Sequence, residues 1–161
     1  MSPQEYVDAT GHRMAADGCE VGPDRVGPMQ ALVGVRKDFI ALAMSRLHLV
    51  TAVGQFPEVT PAEVEGFSRD VSAYARARTG ALLGLQSGVG AFAVLVTTQV
   101  TPEAVAAATA KPRLEFATEV RPAVVDLTTG AVHAYTGSKL VGAALNGHLR
   151  RKLRLYVAPP S

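Results

Sequence analysis

The chain has 161 residues, of which 48% are hydrophobic and 19% are charged, which suits one folded domain with a full core and excludes global disorder. Its single cysteine, Cys19, excludes an intrachain disulfide and therefore a secreted disulfide scaffold, so we expect a reducing, cytoplasmic location. The net charge of only +2 argues against a strongly basic or acidic protein as a whole.

The charge is distributed unevenly along the chain. Residues 1–28 hold five acids and two bases, residues 29–137 hold nine of each, and residues 138–161 hold five bases and no acid. We interpret residues 1–161 as a single globular domain. It comprises an N-terminal helix and linker (1–28), a sheet core with two strand-helix units and a hairpin (29–137), and a basic C-terminal helix (138–161).

The N-terminal segment predicts a helix that starts after Ser2 and ends before Gly18. Ser2 suits an N-cap, Pro3 suits the first helical position, and Glu5 is placed to complete a capping box. The same segment lacks the apolar run of a secretory signal, so no export is expected. The following stretch CEVGPDRVGP (19–28) is rich in Gly and Pro without periodicity, which predicts a linker.

Two apolar runs then predict adjacent antiparallel strands, MQALVGVRKDF (29–39) and SRLHLVTAVGQF (45–56). The short connection between them, around 40–44, is equally compatible with a helical turn. A third strand-like run, 91–98, follows a helical segment. We therefore expect the strands near 47–56 and 91–98 to be parallel, with a right-handed connection.

A short sequence pattern that occurs twice supports two strand-to-helix units. VTPAEV (59–64) and VTPEAV (100–105) each follow an apolar run. Thr60 and Thr101 suit N-caps, with proline at the first helical position in both copies. The first copy opens a strongly amphipathic helix, which we expect to end at Gly80.

The uncharged stretch GALLGLQSGVGAFAVLVTTQV (80–100) raises three alternatives. A phosphate loop leaves a strand and opens a helix, whereas here the helix precedes the glycines, and the stretch contains no lysine. Gly80, Gly84 and Gly88 repeat at the spacing of packed transmembrane helices. The β-branched second half instead favours a buried strand. We predict a glycine-bearing turn or short strand leading into a central strand, and no membrane association.

The segment RPAVVDLTTGAVHAY (121–135) predicts a hairpin with Thr128-Thr129-Gly130 as its loop. That loop would place Asp126 and His133 on opposite faces, whereas a register shift of one residue would place them on the same face. The segment 138–157 predicts a helix with Ser138 as N-cap, weakened at Asn146-Gly147.

Candidate chemical residues are few. Asp126 lies in an apolar strand, where a carboxylate needs a partner, and the simpler alternative is that it accepts hydrogen bonds from its own turn. His48, His133 and Tyr135 are further weak candidates. A metal-dependent nuclease is disfavoured because no Asp or Glu follows Asp126. The histidines share no ligand spacing, so we expect no metal and no cofactor.

The basic C-terminal helix offers four cations, Arg150, Arg151, Lys152 and Arg154. They indicate a solvated face, a partner for the acidic N-terminal segment, or weak nucleic-acid binding.

The sequence therefore predicts an α/β fold, with a mixed sheet of about five strands packed by three to four helices. The expected function is a non-catalytic binding or assembly module that self-associates or binds a protein partner. One alternative is an enzyme or small-ligand binder around Asp126 and the strand histidines, and another is a weak nucleic-acid-associated protein. No known family is indicated by a specific motif.

Overall fold

The helices and strands are given by a computed structural model, which describes residues 1–40, 45–79, 87–112, 114–115, 118–137 and 143–161. The helices within these ranges are α1 (Pro3–Ala16), α2 (Pro61–Thr79), α3 (Pro102–Thr109) and α4 (Ala143–Tyr156). The strands are β1 (Glu20–Val26), β2 (Met29–Ile40), β3 (Ser45–Gln55), β4 (Ser87–Thr97), β5 (Leu114–Glu115), β6 (Thr118–Asp126) and β7 (Ala131–Ala134). The predicted α/β class is confirmed, with slightly more strands than expected.

All seven strands belong to one mixed sheet in the order β1-β2-β3-β4-β6-β5, with β7 also paired to β6. The β1–β2 and β2–β3 pairs are antiparallel, as predicted for the latter. The β3–β4 and β4–β6 pairs are parallel, which confirms the parallel arrangement expected from the first strand-helix unit. The sheet thus has a parallel centre and antiparallel flanks.

Helices cover both faces of the sheet. The core on one face joins α2 and α3 to alternate residues of the central strands, among them Ala91, Ala93 and Val124. The core on the other face joins α1 and α4 to the intervening residues, including Phe92, Ala123 and Val125. Because β4 is buried on both sides, its sequence reads as a continuous apolar run.

The predicted starts of α1, α2 and α3 are confirmed. The Ser2 hydroxyl accepts from the Glu5 amide while the Glu5 carboxylate accepts from the Ser2 amide, a complete capping box. The Thr101 hydroxyl accepts from the Ala104 amide at the start of α3. At the start of α2, the Glu63 carboxylate accepts from the backbone amide of Thr60 at 2.8 Å.

The linker predicted at residues 19–28 is wrong, because most of it forms the edge strand β1. Val26 pairs with Met29 across a tight turn in which Gly27 has φ of 57°. Pro23 is tolerated because an edge strand leaves one row of backbone groups unpaired.

The second half of the glycine-rich stretch is the predicted central strand, since β4 begins at Ser87 and includes Gly88 and Gly90. A Cβ atom at Gly90 would lie 2.9 Å from Cδ2 of Leu149 in α4, so this glycine permits close packing of helix on sheet. Among the described residues, no helix is both long enough and apolar enough to cross a membrane.

Some predictions fall outside the described residues: the connection at 41–44, Gly80 as the end of α2, Gly84, and Ser138 as an N-cap. Helix α4 continues through Asn146-Gly147, where the sequence predicts a weakened helix. The buried Asn146 side chain accepts a hydrogen bond from Arg121 of β6, which fixes this part of the helix on the sheet.

Candidate functional site

Asp126 holds the β6–β7 turn. Its carboxylate accepts hydrogen bonds from the Thr128 amide at 2.9 Å and from the Thr129 hydroxyl at 2.9 Å. The residue is only 6% exposed. The structure thus favours the simpler alternative, in which an aspartate before a turn accepts hydrogen bonds from that turn.

The predicted register of this hairpin is wrong by one residue. Asp126 pairs with Ala131, and Val124 pairs with His133, so the loop has four residues. Asp126 and His133 therefore project from the same face, as diagonal neighbours about 7–8 Å apart. Gly130, with φ of 78°, supplies the left-handed position that the turn requires.

The other candidates lie elsewhere. His48 pairs with Val89, which pairs with Thr118, eight residues before Asp126 on β6. His48 and Asp126 are thus about 26 Å apart along the strands. Burial lowers the pKa of His48, and the positive charges of Lys37 and Arg46 lower it further.

Among the described strands, the topology lacks the switch point that places a crevice at the carboxyl ends of a parallel sheet. Such crevices form where successive crossovers leave a sheet on opposite faces. Here both crossover helices, α2 and α3, pack on one face. Among the described residues, no group of three or more His, Cys, Asp or Glu side chains could hold a metal ion.

A groove of about 250 Å³ separates α4 from β7, and we call it the α4–β7 groove. Its floor is apolar, since Leu153 and Val157 are buried in α4 and just after it, and Val132 and Ala134 face them from β7. The lining residues are Val132, Ala134, Tyr135, Thr136, Arg150, Leu153, Arg154, Val157 and Pro159.

The charge of the groove is positive. Arg150 and Arg154 lie one turn apart on α4, and both line the groove. Neither forms a salt bridge with the described residues, and no acid occurs after Asp126 in the sequence. A larger cavity of about 430 Å³ beside α2 differs in that Glu65, Arg69 and Arg76 give its wall both signs of charge.

Tyr135 is the aromatic residue among the described residues that line the groove. The guanidinium carbon of Arg121 lies 6.0 Å from the centre of the Tyr135 ring, within the range of a cation–π contact. The ring turns back over Gly137, where a Cβ atom would lie 2.5 Å from the Tyr135 hydroxyl oxygen. Of the four residues considered for an enzyme site, Tyr135 is the one that lines this groove.

The remaining basic residues of α4 point elsewhere. Lys152 Nζ lies 2.7 Å from Asp17 Oδ2, and Tyr156 donates to the same oxygen at 2.6 Å. The expectation that the basic helix partners the acidic N-terminal segment is confirmed for Lys152. His148 Nε2 lies 2.7 Å from Asp38 Oδ2, whereas Arg151 is exposed. Of the four predicted nucleic-acid contacts, Lys152 is therefore the one committed to the N-terminal segment.

The contacts among Asp17, Lys152, Tyr156 and Cys19 also shift the pKa values of Asp17 and Cys19. Burial alone would raise the pKa of Asp17, but hydrogen bonds from Lys152 and Tyr156 outweigh it and lower the pKa below its usual value. Burial raises the pKa of the Cys19 thiol, which donates to the Tyr156 hydroxyl at 3.3 Å. Cys19 is thus not activated as a nucleophile.

Sequence reasoning missed the groove and the buried Arg121 beside it. Arg121 is 1% exposed, donates from Nε to Glu119 at 2.8 Å and from Nη2 to Asn146 at 2.5 Å, and leaves Nη1 buried without a hydrogen-bond partner among the described residues. The sequence does carry a signal for Arg121, because it is a charged residue in an apolar strand. The same kind of signal made Asp126 a candidate.

The chain matches no known protein family, and no curated protein or solved structure is significantly similar to it.

Proposed function

We propose that the protein is a non-catalytic binding module that takes up an extended polypeptide segment in the α4–β7 groove. The observation that carries this proposal is the position of β7. It pairs with β6 along one side, and no described strand pairs with its other side. An edge strand beside a helix and an apolar groove is the arrangement in which a segment adds as a further strand and inserts alternate side chains.

The enzyme alternative has less support from the geometry. The Asp126 carboxylate is engaged by its own turn, His48 lies near the opposite end of the parallel strands, and Tyr135 belongs to the groove. The nucleic-acid alternative is weakened by Lys152, which is committed to Asp17. We retain the cytoplasm as the expected location, because the sequence contains one cysteine.

Self-association through β7 is disfavoured by charge. A two-fold pairing of two β7 strands would place two copies of α4 on the same face across the junction. Arg150 and Arg154 of each copy would then face like charges. We therefore propose a partner other than a second copy, and we expect a monomer in sedimentation at tens of micromolar.

The test is an unbiased peptide-display selection against the whole protein, followed by amide NMR mapping of a selected peptide. We expect shifts at Ala131–Ala134 and along α4. Val132→Arg should fill the groove and abolish binding. His133→Arg, on the same strand but the opposite face, should leave binding intact. Shifts confined to another surface, or a dimer that Val132→Arg disrupts, would contradict the proposal.

A further inference from the structure

We infer that the segment bound in the α4–β7 groove is acidic, with two carboxylates on alternate residues followed by an apolar residue two positions on. The inference rests on the proposed function and specifies the chemistry of its partner. Its first basis is charge. Both walls of the groove come from the stretch after Asp126, which contains no Asp or Glu.

The two arginines are free to accept a ligand. Arg150 is half-buried and Arg154 is exposed, and neither has an acidic partner among the residues that the structure describes. Guanidinium groups bind carboxylates with two parallel hydrogen bonds, a geometry that lysine does not offer. The groove therefore presents two unoccupied carboxylate-binding groups beside an apolar floor.

The spacing of the arginines gives the pattern. Four residues of α-helix advance about 6 Å, and alternate residues of a strand advance about 6.7 Å. Alternate side chains of a strand that lies along α4 face this helix. Such a strand can therefore place one carboxylate opposite Arg150 and the carboxylate two residues later opposite Arg154. Val157 follows after three further residues, about 4.5 Å along the axis, and the next side chain on the same face of the strand, about 6.7 Å on, therefore lies close to this apolar wall.

The apolar floor of the groove favours an acidic peptide over a nucleic acid as its ligand. Leu153 and Val157 are buried beneath the arginines. A sugar-phosphate backbone would gain little from such a floor, whereas an aliphatic side chain would be removed from water there. Single-stranded nucleic acids instead bind through several aromatic stacking partners, and Tyr135 is the one aromatic residue among the described residues of the lining.

The test uses three labelled heptapeptides with the full-length protein, followed by fluorescence anisotropy. Thr-Asp-Thr-Asp-Thr-Val-Thr carries the alternate pattern. Thr-Asn-Thr-Asn-Thr-Val-Thr is its uncharged counterpart. Thr-Asp-Asp-Thr-Thr-Val-Thr keeps the composition and charge but directs its acids to opposite faces. We expect the first to bind at least about tenfold more tightly than either control, an advantage that shrinks as salt rises.

Protein variants matched in charge complete the test. Arg150→Gln and Arg154→Gln should each weaken the alternate peptide about 5- to 10-fold and leave the uncharged peptide unaffected. Arg151→Gln removes the same charge from the same helix outside the groove and should change binding less than about twofold. Circular dichroism verifies that each variant is folded.

The outcomes distinguish the acidic partner from the proposed binding of an extended segment in the α4–β7 groove. Equal binding of the uncharged peptide, with shifts at β7, overturns the acidic partner and keeps the binding module. Equal binding of the adjacent-acid peptide overturns the spacing. Binding of none of the three, together with a failed display selection, overturns both. An oligothymidine that binds more tightly than the alternate peptide, and loses affinity in Arg150→Gln, replaces the peptide with nucleic acid.

Discussion

Arg121 and Asn146 join the sheet to α4 through a hydrogen bond of 2.5 Å from Nη2 to Oδ1, buried between β6 and the first turns of the helix. Glu119 compensates the charge from the same strand. Since Arg121 Nη1 has no partner among the described residues, this guanidinium depends strongly on the two acceptors that it has. Loss of either acceptor leaves a buried charge less well compensated.

Asn146→Ala should therefore lower the free energy of unfolding by about 2–4 kcal/mol. Urea unfolding followed by circular dichroism measures the loss. Arg151→Ala, an exposed change on the same helix, should stay within about 0.5 kcal/mol of the parent protein. Coincident unfolding curves for Asn146→Ala and the parent would show that the bond contributes no stability.

Gly90 and Gly88 provide a matched pair in β4. A Cβ atom at Gly90 meets the buried Leu149 side chain at 2.9 Å, whereas at Gly88 it meets no atom of the described residues within 4 Å. Gly90→Ala should cost about 1–3 kcal/mol through overpacking. Gly88→Ala should be neutral or slightly stabilising, because it restricts the unfolded chain. The thermal unfolding midpoints of the two variants test this difference, and equal midpoints would refute the packing role of Gly90.

Stability should fall in acid because of Asp17. Its folded pKa lies below the ordinary value of 3.8, since hydrogen bonds from Lys152 and Tyr156 overcome the opposing effect of burial. A lowered folded pKa contributes stability that is fully present above the unfolded pKa and is lost as the pH falls through the folded pKa. The loss is therefore expected below about pH 4.

Two variants isolate this contribution. Asp17→Asn should be less stable than the parent at pH 7, and the difference should shrink as the pH approaches 3. Tyr156→Phe removes one donor to Asp17 and should reduce the same pH-dependent part while also losing the contact with Cys19. Unfolding free energies measured between pH 3 and 7 test both. A constant difference across that range would exclude Asp17 as the source.

Asp126 is expected to act on the turn. Asp126→Ala should destabilise the protein by about 1–2 kcal/mol, because the Thr128 amide and the Thr129 hydroxyl lose their acceptor. Asp126→Asn keeps an acceptor oxygen and should recover much of that loss. Amide hydrogen exchange at Thr128 reports the change directly. Unaltered exchange in the alanine variant would show that other contacts define the turn.

The helix starts could be predicted because their chemistry is local. Ser2 and Glu5 are three residues apart and satisfy each other's backbone amides whatever the rest of the chain does. The parallel centre of the sheet followed from apolar runs separated by a helix. These features depend on short stretches that the sequence displays directly.

The features that the sequence did not predict depend on contacts between residues far apart in the chain. β1 exists because β2 supplies its hydrogen-bond partners, which overrides a composition rich in Gly and Pro. The hairpin register is fixed from outside the loop, since the Leu127 amide donates to the Thr97 carbonyl of β4. The α4–β7 groove depends on where Leu149 sits over Gly90, a packing choice that no periodicity in α4 alone determines.

The Tyr6 hydroxyl donates to the carbonyl of Ala158 at 2.7 Å, and Arg13 donates to the carbonyl of Tyr156 at 2.8 Å. Helix α1 is therefore completed by residues made about 150 positions later. Until then, the apolar surface of α1 and one side of the central strands lack their cover. Translation stalled before Leu149 should yield a chaperone-dependent nascent chain, and release of the segment that contains α4 should close that layer in a single late step.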